Sequence, residues 1–449
     1  MKVYFFTFAC LFLTTTLLGQ KIDKNIFANK TMQTALQKIS INKSINADSA
    51  WSLLTTFNDY PAIIEKGKEF IFFYNDSIFG QVPIRVFIPK NYSNKIKNPL
   101  VLSLHGAVGQ SRFSNVDTTT MTYKIAGRDY THDIFYEYLG EHGFIVVRPL
   151  ADVTKKFSWS ANRFESPNPT FNTLTDIIVR LKRFLNIDDS RVYAFGHSDG
   201  SDGAFGLDIY KPSLFSGFVG YNSMLTHIHG EVYLKNLINK PFYLVHSDLD
   251  DIRPIQQTRL QIKTLDSLKA PVLYKEYIGY GHEDNHLQID RPYSLIFLQS
   301  ISRNPFPKEI YWETDNTSFN QCDWLRIISL DTLQQKKAEW QKDFNSNLYE
   351  KRTKEFMNEP YYRHKSRSGA VKAYYDNNHF SIETSRVKEI ELLISPVMVN
   401  LQNPVTVTIN GKEVFNKKIN ADKGFVLEGF KSSLDRQALP ITSIKLNID

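Results

Sequence analysis

Cysteine is nearly missing from this 449-residue chain, which has two, Cys10 and Cys322. Cys10 lies inside the apolar N-terminal run, so once that run is removed Cys322 has no intramolecular disulfide partner. Stability must then come from an apolar core. With 42% hydrophobic and 13% aromatic residues the chain has ample material for one, and disordered and fibrous classes are excluded. An excess of one charge is also lacking. The 54 Lys+Arg against 47 Asp+Glu leave +7 with no long basic run, which argues against nucleic acid as a partner. The only long apolar run is MKVYFFTFACLFLTTTLLGQ, with Lys2 as its positive end and Leu17–Gln20 as a cleavage site. It is short for a bilayer span, which needs roughly 20 residues. Residues 1–19 are therefore expected to be a signal peptide. The mature protein is expected to be secreted or periplasmic, with no stable membrane span after cleavage.

No internal repeat or low-complexity tract is present. Residues 20–66 are polar and helix-leaning. Strand signals begin with EFIFFYND and QVPIRVFIP, an antiparallel pair. LVLSLHG, FIVVRPL, RVYAFG, GFVGYNS, PFYLVHS and VLYKEYIG follow as buried strands separated by helical stretches such as TLTDIIVRLKRFLN. This alternation through about residue 303 predicts an α/β unit over 67–303, a mainly parallel sheet covered on both faces. Beyond Asn304 the character changes. Residues 330–358 have a charged, helical pattern, and from Ala370 short strands follow, with Asn410-Gly411 as a type I′ hairpin signal. Residues 304–449 thus read as an accessory domain, a helical linker and then a β-rich part. FVLEGF is included among its strands.

Gly196-His197-Ser198-Asp199-Gly200 fits G-x-S-x-G between a buried strand and a helix start. That is the setting of a nucleophile elbow, in which a sharp turn exposes the serine hydroxyl and flanking side chains would clash. A serine hydroxyl is a weak nucleophile that needs a base, and the base needs an acid to hold it. Downstream, PFYLV runs into a loop with Asp248, Asp250 and Asp251, and YKEYIGY runs into Gly281-His282. Both place titratable groups at the C-terminal ends of strands, in the chain order Ser, Asp, His. His282-Glu283-Asp284-Asn285-His286 also fits H-E-x-x-H, but zinc needs both histidines on one long helix. The glycines and polar residues here indicate a short loop, so no metal or cofactor is expected. His227 and His229 read as surface residues.

Residues 70 to 300 resemble α/β-hydrolase esterases of the polyhydroxybutyrate depolymerase, feruloyl esterase and acetylxylan esterase type. PLVLSLHG is similar to their oxyanion strand, DDSRVYAFGHSDG to their elbow, KPSLFSGFVGYNS to the segment that follows the elbow helix, HSDLDDIRP to their acid loop and LYKEYIGYGHE to their histidine loop. The resemblance implies an α/β-hydrolase fold and a catalytic triad of Ser198, Asp250 and His282. An oxyanion hole would combine the N–H of Asp199 with that of Ala107 or Val108, and His105 is taken as structural. The departures are Ser247 for Gly, Arg253 for Val, and Asp199 where small or apolar residues are common. Asp199 and Asp202 are read as first-turn carboxylates favoured by the helix dipole. Phe157, Trp159 and Phe164, in the loop after RPL, either stack on a sugar or aryl ring or pack the loop, with Phe157 and Trp159 as the expected substrate-binding pair. The expected function is an exported serine esterase acting on a small or polymeric ester, with acylated polysaccharide as the expected class. The alternatives are a serine peptidase of the prolyl oligopeptidase type and a non-catalytic binding protein on the same scaffold.

Overall fold

The structure, a computed structural model, describes residues 30–63, 65–117, 122–125, 128–129, 134–160, 168–223, 232–331, 333, 336–344, 346–360 and 367–448. The expected signal peptide, Phe164, His227 and His229 lie outside them.

Eight strands form the main sheet: β1 (Lys68–Asp76), β2 (Gly80–Ile88), β3 (Asn98–Leu104), β4 (Ile145–Pro149), β5 (Ile187–His197), β6 (Gly217–Tyr221), β7 (Phe242–Ser247) and β8 (Val272–Tyr277). Their order is β1-β2-β4-β3-β5-β6-β7-β8. The β1–β2 and β2–β4 pairs are antiparallel and the six strands from β4 to β8 run parallel. Period-2 alternation sends neighbouring residues to opposite faces. Leu100, Leu102, Val192, Ala194, Phe242 and Leu244 join one apolar cluster, while Val101, Tyr193, Phe195, Tyr243 and Val245 join another. The first is covered by α4 (Thr170–Leu181), α5 (Asp199–Tyr210) and α6 (Ile255–Ser267), the second by α3 (Ile134–Glu141) and α7 (His286–Ser300). A large mixed sheet flanked by helices on both faces is an α/β architecture.

Two further sheets are built mainly from β9 (Glu309–Thr314), β10 (Leu325–Leu330), β11 (Gly369–Asp376), β12 (His379–Ser385), β13 (Val387–Ile394), β14 (Val405–Ile409), β15 (Lys412–Lys417) and β16 (Thr442–Asn447). One sheet has the order β9-β11-β12-β14-β15; the other joins β10, β13 and β16 with the short strand Gln321–Cys322. Trp312, Val371 and Ile382 of the first share one apolar core with Ile327, Ile390 and Leu446 of the second. Asn410 and Gly411 both have positive φ, 51° and 81°, as a type I′ turn requires, and they join β14 to β15.

Two sequence expectations fail in this half. The charged stretch from 330 forms no helix among the described residues, and Asn347–Glu350 pairs with Glu355–Pro360 as a hairpin. Tertiary contacts override the helical spacing. Trp340 packs on Tyr311 under Lys372, and the buried Gln341 side chain bonds Glu313, Ser368 and Ser385. FVLEGF is not a strand but lies in helix α8 (Lys423–Ser433), capped by Asp422, whose side chain accepts the N–H of Phe425. Val426, Leu427 and Phe430 face α1 (Lys30–Ile41) and α2 (Ala47–Thr55), burying Met32, Ala50 and Leu54. Polar contacts tie the β-rich half to the main sheet. Buried Arg303 bonds both oxygens of Asp435, Arg436 bonds Asp189, and Lys240 bonds Asp323.

Candidate active site

β5 ends at His197 and α5 begins at Asp199, so the chain reverses at Ser198, which sits at φ 56°, ψ −124°. A non-glycine residue there is strained, and its surroundings must enforce it. The Ser198 N–H donates to Tyr221 O at 2.9 Å. A Cβ on Gly196 would lie 2.1 Å from Gly200 backbone, and one on Gly200 would lie 1.9 Å from Leu104 O. Both glycines are therefore dictated by close backbone approach.

The loop after β7 carries Asp250. Its Oδ1 accepts the N–H groups of Ile252 (2.9 Å) and Arg253 (2.7 Å). Its Oδ2 faces His282 Nδ1 at 2.7 Å and His246 Nε2 at 3.3 Å. Burial pushes the Asp250 carboxyl up, but hydrogen bonds from His246, His282 and the Arg253 N–H outweigh it and hold it below the usual carboxylate range. The carboxylate is thus ionised, and it fixes the ring tautomer with a proton on Nδ1. Nε2 of His282 is then free to accept the hydroxyl of Ser198, 2.9 Å away. Ser198, His282 and Asp250 form one continuous hydrogen-bonded chain. Asp248 instead accepts the Gly279 N–H, and Asp251 contributes its backbone carbonyl to Lys351.

Sequence reading missed the residues that brace this chain. Asn222, buried and with φ 52°, donates to His282 O (2.7 Å) and to Ser247 Oγ (3.0 Å), and its Oδ1 accepts from Ser247 N–H and His286 Nε2. Ser247 donates to Gly281 O at 2.7 Å, so its hydroxyl pins the acid loop to the histidine loop. His246 is oriented by Thr258, whose hydroxyl donates to Nδ1 at 3.0 Å. Only the polar ends of GYNS and LVHS hinted at them.

A cavity of about 280 Å³ opens over Ser198, lined by Gly106, Ala107, Phe135, Asp199, Arg253 and His282 among others. A Cβ on Gly106 would stand 3.2 Å from Ser198 Cβ, so the loop after β3 passes directly beside the hydroxyl. Among the described residues no hydrogen bond uses the N–H of Asp199 or of Ala107, leaving both uncommitted. Val108 does not fit the oxyanion role: it is buried and its N–H donates to Asp199 Oδ2 at 2.9 Å. Asp199 therefore does more than face a helix dipole. Asp202 is buried and accepts the Ser223 hydroxyl at 2.6 Å. His105 is structural, its Nε2 accepting the Ala151 N–H at 3.1 Å.

Phe157 and Trp159 are corrected outright as ligand-stacking residues. Both are fully buried, Trp159 donates to His105 O at 3.0 Å, and Phe157 packs among Phe79, Phe113 and Trp159. They support the loops from below and offer no face to a sugar ring. The H-E-x-x-H histidines are not paired as metal ligands. Both nitrogens of His282 are engaged, and His286 opens α7, where burial lowers its pKa to about 4. No helix among the described residues is long and apolar enough to cross a membrane.

No family model and no curated protein matches the chain. Among solved structures it is similar to a thermostable esterase, at 23% identity and TM-score 0.40, over 52% of this chain and 63% of that one. It is similar to an S-formylglutathione hydrolase from Agrobacterium tumefaciens, at 14% identity and TM-score 0.39, over 54% of this chain and 98% of that one. It is also similar to Thermogutta terrifontis esterase 2 phosphorylated by paraoxon, at 13% identity and TM-score 0.39, over 53% of this chain and 95% of that one.

Proposed function

We propose that this protein is an exported serine hydrolase of the α/β-hydrolase fold that cleaves carboxylic esters. The observation that carries the reading is the hydrogen-bonded chain from Asp250 through His282 to Ser198, on a strained turn beside two uncommitted N–H groups. Ser198 Oγ attacks the ester carbonyl while His282 Nε2 takes its proton. Asp250 stabilises the imidazolium that results. The carbonyl oxygen gains negative charge and is received by the N–H groups of Asp199 and Ala107, donors of a kind each worth about 10²–10³ in rate. The C–O bond then breaks, His282 returns the proton to the departing alcohol, and an acyl-serine remains. Water repeats the sequence, releasing the acid and regenerating Ser198.

The cavity lies near the lower end of ligand pockets, roughly 300–1,000 Å³, and suits a short acyl group better than a long fatty chain. Export and an acylated polysaccharide as natural substrate belong to this proposal on the N-terminal run and the sequence resemblance; the buried Phe157 and Trp159 lend the polysaccharide no support. The test is hydrolysis of a nitrophenyl ester series and of acetylated and feruloylated polysaccharides. Turnover is expected to be fastest for acetyl or hydroxycinnamoyl groups and to vanish in Ser198→Ala. A maximum at about ten carbons or more would contradict the short-acyl reading.

A further inference from the structure

Asp199 holds an unusual place for a carboxylate, one residue past the proposed nucleophile. Both of its oxygens accept hydrogen bonds. Oδ2 accepts the N–H of Val108 at 2.9 Å, and Oδ1 accepts the Ser160 hydroxyl at 2.9 Å and the Arg253 guanidinium. Val108 follows β3, Ser160 follows β4 and Arg253 follows β7, so three loops from separate strands meet on one side chain. Arg253 is 8% exposed, and a second carboxylate, Asp202, stands 3.8 Å from it. Two of the three positions that depart from the resembled pattern, Asp199 and Arg253, are thus partners of each other.

Their pairing has an electrostatic reason. A lone carboxylate beside the oxyanion site would oppose the negative charge developing on the substrate oxygen, and at low dielectric the repulsion is large. The guanidinium cancels it and leaves the oxygens as hydrogen-bond acceptors. Ala107 sits in the left-handed region at φ 52°, ψ 37°, a conformation that costs an alanine energy unless its neighbours hold it. The next N–H along the chain, that of Val108, is the one Asp199 grips.

We propose that Asp199 is a positioning residue: its carboxylate, neutralised by Arg253, clamps Val108 and thereby fixes Ala107 with its N–H open to the oxyanion. This rests on the serine hydrolase reading above. The Asp199 carboxylate, unlike its backbone N–H, touches neither substrate nor the transferred proton and acts through the loop that does.

The test uses the full-length protein and nitrophenyl acetate, with kcat and KM measured separately and thermal melting recorded for each variant. Asp199→Ala is expected to lower kcat by about 10²-fold with KM little changed, because a misplaced donor is felt mainly in the transition state. Asp199→Asn keeps one acceptor oxygen for Val108 and is expected to retain more activity than Asp199→Ala. Arg253→Ala added to Asp199→Ala is expected to cause a further loss well short of additive, since the guanidinium acts mainly through Asp199. A folded Asp199→Ala with wild-type kcat, a change confined to KM, equal losses in Asp199→Asn and Asp199→Ala, or additive losses in the double variant would each overturn the proposal. An inert wild-type protein would instead overturn the hydrolase reading on which it stands.

Discussion

Asp250, after β7, and Glu313, at the end of β9, are both buried, and each accepts hydrogen bonds on both oxygens. Around Glu313 the partners close a loop. Gln341 and Ser368 donate to one oxygen, Tyr311 to the other, and Gln341 also accepts from Ser385. The space beside it is about 10 Å³, room for no more than about one water. Around Asp250 the chain of partners stays open at one end: it passes through His282 to a serine hydroxyl that faces about 280 Å³ of cavity. Buried, well-satisfied polar groups thus occur in both halves of the molecule. What marks one as a candidate site is a proton acceptor pointed at a strained, reachable hydroxyl, not burial or hydrogen bonding alone.

The largest effect should come from breaking the open chain. Ser198→Ala or His282→Ala is expected to lower kcat on a nitrophenyl ester by on the order of 10⁴–10⁶, with melting little changed, because nucleophile and base act as a unit. The corresponding measurement on the closed cluster sharpens the contrast. Glu313→Gln should leave kcat and KM unaltered and cost about 1–3 kcal/mol in denaturant unfolding, as one acceptor becomes a donor among donors.

Between these lie two stability effects. Asp435→Ala removes the partner of buried Arg303, and breaking a buried pair costs about 3–5 kcal/mol. Burial pushes the Asp435 carboxyl up, but the charges of Arg303 and Lys182 outweigh it and hold it well below the usual range. Its folded-state pKa therefore lies below the unfolded value of about 3.9, so its contribution is present above that value and is lost as pH falls. The acid limb of a stability profile should be shallower in Asp435→Ala than in wild type. Trp159→Ala is expected to cost about 3–5 kcal/mol as a cavity-forming change. It should lower activity on acetyl and aryl esters in equal proportion. A selective rise in KM for aryl esters would restore a ligand-stacking role.

Much of the site was legible because its constraints are local. Gly196 and Gly200 are forced by contacts below van der Waals distance, and the loop residues stand directly after apolar strands. The buried strands of the main sheet were readable for the same reason, as short apolar runs bounded by turns. What escaped is set by contacts distant in sequence. Trp340 and Gln341 lie in a helical pattern but serve β9 and β11, and FVLEGF is a short apolar run like the strands around it yet buries one helical face against α2. Phe157 and Trp159 have the composition of a binding loop, and only the third dimension shows them beneath it. Asn222 acts on His282 across 60 residues of chain, which no spacing rule reports.

The central claim is that Ser198 is a nucleophile activated by His282. The most direct measurement is labelling of the full-length protein with a fluorophosphonate, followed by peptide mass mapping of the adduct. The account predicts a single adduct on Ser198 that is lost in Ser198→Ala and much slowed in His282→Ala. A folded protein that takes no label, or takes it elsewhere, would contradict it.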